Sequence, residues 1–136
     1  MTTSKATQKW LVIAQEDLKD AKALLEYGDK FLKYVVFASQ QSAEKSIKAY
    51  LTQSKIRYPN THDIADLLKL VSRSNAELSE KLFPASRLTA YAIAFRYPDA
   101  ANEELNIEIA EIAVELADKT LSEIIDFLKH DGDFAV

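Results

Sequence analysis

The stretch FASQQSAEKSIKAYL, residues 37–51, decides the fold. At the α-helical repeat, Phe37, Gln41, Glu44 and Lys48 fall at i, i+4, i+7 and i+11 and share one face. Gln40 and Lys45 flank that face. Val36, Ala43, Ile47, Tyr50 and Leu51 cover much of the rest. A surface helix carries one apolar stripe and a solvated back. This one is apolar on more than one side, as the central helix of a bundle is. Its polar residues are therefore expected to line a groove between helices. The same spacing also fits a solvated face, with an i,i+4 Glu44–Lys48 pair worth about 0.2–0.5 kcal/mol.

Working outward, Trp10, Ala14, Leu18, Ala21 and Leu25 repeat at three- and four-residue steps and predict a helix over 7–27, stopped by Gly28. The link at Asp29 and Lys30 is so short that this helix and the next, over 31–54, must be antiparallel neighbours. Pro59 makes SKIRYPN a loop. A third helix follows, capped by Asn60 or Thr61, with Ile64, Leu67, Leu68 and Val71 as its apolar positions. Over 76–97, Leu78, Leu82 and Phe83 begin a helical stripe and Pro84 interrupts it. Leu88, Tyr91, Ala92 and Phe95 resume it up to Tyr97-Pro98. The last helix is expected from Asp99–Asn102 to about 129. Its face is Ile109, Ile112, Ala113, Leu116, Ala117, Thr120, Leu121, Ile124 and Leu128. Glu103 and Glu104 near its start and Lys129 near its end suit the helix dipole. The pattern is all-α, a single domain over 1–136 with ends at 1–6 and 131–136 expected to fray.

Composition excludes several functions. With 136 residues, 48% apolar and 28% charged, the chain is long enough for a full core and ordinary for a globular domain. It has no cysteine, which removes disulfides, thiolate zinc sites and cysteine catalysis and is compatible with a cytoplasmic location. MTTSKATQKW holds no long apolar run, so neither a signal peptide nor a membrane span is expected. A net charge of −4 disfavours a broadly basic nucleic-acid surface. His62 opens the third helix and His130 lies at the end of the last, so a histidine-rich metal site is not expected. No phosphate loop or nucleophile elbow occurs, and no cofactor is expected. Arg96, Tyr97, Pro98 and Asp99 form a dense cluster at a helix end, where Arg96 could pair with an acid or grip a phosphate.

Taken together, WLVIAQEDLKDAKALL, FASQQSAEKSIKAYL, THDIADLL and LTAYAIAFRYPD resemble the HEPN domain family (higher eukaryote and prokaryote nucleotide-binding) in order and spacing. The resemblance runs from Trp10 through the last helix. It implies an antiparallel bundle of about five helices, usually a homodimer. Small prokaryotic members are often encoded beside a minimal nucleotidyltransferase, with which they form a toxin–antitoxin-like pair. The fold is also similar to the helical C-terminal domain of aminoglycoside nucleotidyltransferases, which helps complete a nucleotide site. Many other members are metal-independent ribonucleases with an Arg followed, after four to six residues, by a His. Here Arg96 has no histidine after it until His130, and Arg57 and His62 meet the spacing only across the Pro59 loop.

Three functions follow as expectations. The first is a non-catalytic binding module acting with a nucleotidyltransferase, with a groove of Gln41, Glu44, Lys45, Lys48, His62, Arg96 and Tyr97 that takes a nucleotide or a partner segment. The second is a ribonuclease toxin using Arg57 or Arg96 for phosphate and His62 for proton transfer. The third is a structural helical interaction protein without a ligand.

Overall fold

The structure is a computed structural model that describes residues 3–96 and 105–130, without the side chains of Phe95 and Arg96. Among these residues six α-helices make an all-α bundle: α1 (Lys5–Leu25), α2 (Leu32–Gln53), α3 (Ile64–Ser74), α4 (Ala76–Leu82), α5 (Arg87–Arg96) and α6 (Ile107–His130). Among the described residues there is no strand. No described helix is long and apolar enough to cross a membrane.

The central helix is α2, which packs against α1, α3, α5 and α6. Its small residues Ser39, Ser42, Ala43, Ser46 and Ala49 are all fully buried, which lets neighbouring backbones approach. Buried hydroxyls need partners. Ser42 donates to the Ala14 carbonyl of α1 at 2.8 Å, while Ser39 and Ser46 bond back to the carbonyls of Val35 and Ser42. Among the described residues every buried side-chain nitrogen and oxygen has a partner.

Helix ends follow local chemistry. Ser4 caps α1, accepting from Thr7 N at 3.1 Å, so the helix starts slightly earlier than its apolar period indicates. Ser4 N also donates to Gln53 Oε1 at the far end of α2. Gly28, at φ +66°, turns the chain into one 3-10 turn before α2, a conformation that suits glycine. The cap of α3 is Asp63, whose Oδ1 accepts from Ala65 N at 2.9 Å. Asn60 and Thr61 do not cap it. Thr61 instead bonds Asp63 N one step outside the helix.

Pro84 splits the fourth segment as expected, and a 3-10 turn over Phe83–Ser86 separates α4 from α5. Asn75 ends α3 and caps α4, accepting from Leu78 N. The last helix starts at Ile107, later than the sequence suggests, with Asn106 Oδ1 accepting from Ile109 N at 2.9 Å. Its buried stripe is also rotated. Ala110 and Val114 are buried, Leu116 is half-buried and Ile112 is exposed, whereas Ala113, Ala117, Thr120, Leu121, Ile124 and Leu128 are buried as expected. Residues 97–104 and 131–136 lie outside the described residues, and with them the Tyr97-Pro98 helix end, Glu103, Glu104 and the tail.

Candidate functional site

The polar face of α2 does not open to water as a row. Glu44 and Lys48 are buried within the bundle, their side chains 1% and 6% exposed, with Lys48 Nζ 2.9 Å from Glu44 Oε2. The pair is therefore not a solvated surface pair, and neither residue is among those lining the cleft described below. The reason is that α2 has neighbours on nearly every side, so its i,i+4 charges are covered. Lys48 Nζ also lies 5.5 Å from the Trp10 ring centroid and 5.9 Å from that of Tyr58, within cation–π range. Lys45 turns the other way and pairs with Asp17 of α1 at 3.3 Å.

Glu44 is the hub of this network. Its Oε1 accepts from Gln40 Nε2 at 3.1 Å and lies 3.1 Å from His62 Nδ1. Burial pushes its carboxyl pKa up. The hydrogen bond and charge of Lys48, with hydrogen bonds from Gln40 and His62, outweigh burial and hold it below its ordinary value. An ionised carboxylate only accepts, so the proton of the His62–Glu44 contact sits on Nδ1. Nε2 then faces outward, on a side chain 74% exposed. Gln40 Nε2 also donates to the His62 carbonyl at 3.0 Å, so α2 holds this residue by backbone and ring alike.

Beside this network lies a cleft of about 480 Å³, within the size range of small-molecule sites. Phe37, Gln40 and Gln41 of α2 form one wall, His62 and Asp63 the entry to α3, and Thr89, Ala92 and Ile93 of α5 the other wall. Gln41 donates to Gln40 Oε1 at 2.8 Å, and Thr89 Oγ1 accepts from Ile64 N at 3.1 Å. Of the sequence-derived groove, the cleft thus brings together Gln41 and His62, with Glu44 behind them. Lys45 and Lys48 do not line it. Arg57 is exposed in the loop and does not line it either. Arg96 ends α5 but its side chain is outside the described residues, as is the whole of Tyr97.

Sequence reasoning missed Gln40, Asp63 and Thr89 as site residues. Gln40 stood beside the shared face, and its pivotal role depends on where the His62 carbonyl lands. Asp63 carried a usable signal, as a capping residue directly after His62. Thr89 carried none, because its position depends on how Pro84 redirects α5. Among the described residues no group of three or more His, Asp or Glu side chains is placed to hold a metal ion.

Comparison with known proteins gives a consistent picture. The HEPN domain model matches residues 7–130. No curated protein matches the chain. A solved structure, that of TT1696 from Thermus thermophilus, is 29% identical over 92% of this chain and 100% of its own, with a TM-score of 0.74. The family match runs from α1 to the end of α6, and the chain belongs to the HEPN domain family.

Proposed function

We propose that this HEPN protein is a binding component, not a catalyst, and that it dimerises and acts with a minimal nucleotidyltransferase. Its α2–α3–α5 cleft holds a nucleotide, or a segment of that partner. The observation that carries this reading is the composition of the cleft. It combines apolar walls from Phe37, Ala92 and Ile93 with a few fixed polar groups, the usual make-up of a ligand site. A ribonuclease needs phosphate-charge stabilisation next to its proton-transfer group. Among the described residues, Arg57 does not line the cleft and both central lysines of α2 are engaged elsewhere.

The test is co-purification. An adjacent small nucleotidyltransferase gene is the first expectation. The tagged HEPN protein should then retain that enzyme on a column and lose it on Gln41→Ala or His62→Ala. No complex, together with no nucleotide binding, would contradict the reading.

One observation favours a second reading. The Glu44–His62 pair fixes the tautomer and leaves Nε2 outward, as a general base requires. In a ribonuclease, metal-independent cleavage would leave 2′,3′-cyclic phosphate ends and disappear on His62→Ala. Growth arrest on expression of this chain alone, relieved by His62→Ala, would favour it over the binding module.

A further inference from the structure

His62 joins an exposed ring to a buried charge. Its side chain is 74% exposed, and its Nδ1 lies 3.1 and 3.3 Å from the two oxygens of Glu44, which is 1% exposed. Lys48 and Gln40 help to keep Glu44 ionised, so the ring proton sits on Nδ1 and Nε2 carries a lone pair. The residue is held at its backbone as well. Gln40 Nε2 donates to the His62 carbonyl at 3.0 Å, and Asp63, next along the chain, caps α3. The chain's other histidine, His130, is also exposed, but its Nδ1 lies 2.7 Å from the Asp126 backbone carbonyl, a neutral acceptor.

A carboxylate on Nδ1–H makes Nε2 of a neutral imidazole more basic and fixes its direction. When Nε2 attacks an electrophile, positive charge builds on the ring, and the carboxylate behind it stabilises that charge. The electrophile that suits so exposed a nitrogen is phosphorus. Phosphoryl transfer passes through a loose transition state with little bonding to the acceptor, so the acceptor needs access and a lone pair. Acyl transfer gains most from donors preorganised around an oxyanion, which an exposed surface ring does not provide. A donor with a weak bond to phosphorus also brings its own reactivity. Cleavage of an unactivated RNA phosphodiester depends instead on groups arranged around the phosphate.

We propose that His62 is a phosphoryl-acceptor site, phosphorylated on Nε2 by donors of the phosphoramidate or acyl-phosphate class. The Nε2 lone pair forms the N–P bond while the bond from phosphorus to the donor's leaving group breaks. The leaving group departs with that electron pair. Nε2 has no proton to lose. The product ring keeps its Nδ1 proton and sets its positive charge against Glu44, which is a positioning residue and touches no donor. The site does not depend on what the neighbouring cleft binds.

Incubation of the full chain with potassium phosphoramidate at neutral pH tests it, with N-acetyl-histidine amide as the reference. Ammonia is the leaving group. Phosphorus NMR identifies the nitrogen that is labelled, and peptide mapping by mass spectrometry identifies the residue. His62 should be labelled on Nε2 from the first time points, about tenfold faster than His130 or the reference. The reference, with neither nitrogen held, should take the label on both. Glu44→Gln keeps an acceptor for Nδ1 and removes the charge. It should slow His62 about tenfold while the label stays on Nε2. Circular dichroism checks that this variant is folded, and the comparison of wild type with the reference decides the matter without it. A His62 rate no greater than that of the reference, or first labelling on Nδ1, would overturn the proposal. A folded Glu44→Gln variant that reacts as fast as wild type would overturn the part given to the carboxylate.

Discussion

His62 Nδ1 stands 3.1 Å from Oε1 of Glu44, joining a ring that is 74% exposed to a carboxylate that is 1% exposed. The contact links the interior of the bundle to its surface cleft. Lys48 neutralises the carboxylate from within, Gln40 braces it, and His62 reports it to the outside. The start of α3, and with it Asp63, is positioned by the same network through the Gln40 bond to the His62 carbonyl.

Breaking this network from one side should be costly. Glu44→Ala strands the Lys48 ammonium among Trp10, Tyr58 and the core, and should destabilise by about 3–5 kcal/mol in urea unfolding. The double variant Glu44→Leu with Lys48→Met removes both charges and should be more stable than either single change. A double variant whose loss equals the sum of the two would show that the charges are not coupled.

The same carboxylate gives a pH signature. Its folded pKa is depressed, so its stabilisation is complete above the ordinary unfolded value of 4.5 and is lost as pH falls through the folded value. Glu44→Gln lacks this titration. The stability gap between wild type and the Glu44→Gln variant should be widest near neutral pH and narrow below 4.5. A gap that stays constant through acid unfolding would mean that Glu44 is not held ionised by its partners.

The rotated stripe of α6 can be read by paired truncations. Ile124 is fully buried, and Ile124→Ala should cost about 2–5 kcal/mol. Ile112 is 37% exposed, and Ile112→Ala should stay within about 0.5 kcal/mol. Equal costs would restore the stripe expected from sequence.

Self-association is the next measurement. A homodimer of the 15.3 kDa chain should sediment at roughly twice that mass. A monomer at high micromolar concentration would remove the dimer from the proposed function.

The all-α bundle was legible because apolar periods run long in α1, α2 and α6 and because Pro84 marks its own break. The phase of α6 was not, since Ile112 and Val114 are equally apolar and only the partner helices choose between them. The polar face of α2 was legible as a group but not in its depth. Spacing places Glu44 and Lys48 together, yet their burial depends on Trp10 from α1 and Tyr58 from a loop. Asp63 was misread as following the cap because Asn60 and Thr61 are good caps too. In the structure Gln40 bonds the His62 carbonyl and Asp63 Oδ1, next along the chain, takes the cap.

The central claim is that this HEPN protein works by binding a ligand in the Phe37–Gln41–Asp63–Thr89 cleft. Its most direct test is an NMR titration of isotope-labelled protein with the nucleotidyltransferase partner and, separately, with ATP and GTP. Progressive shifts should centre on the amides of Phe37, Gln41, His62, Asp63 and Thr89 and on the Gln41 side chain. Shifts elsewhere, or none with the partner or with either nucleotide at millimolar concentration, would contradict it.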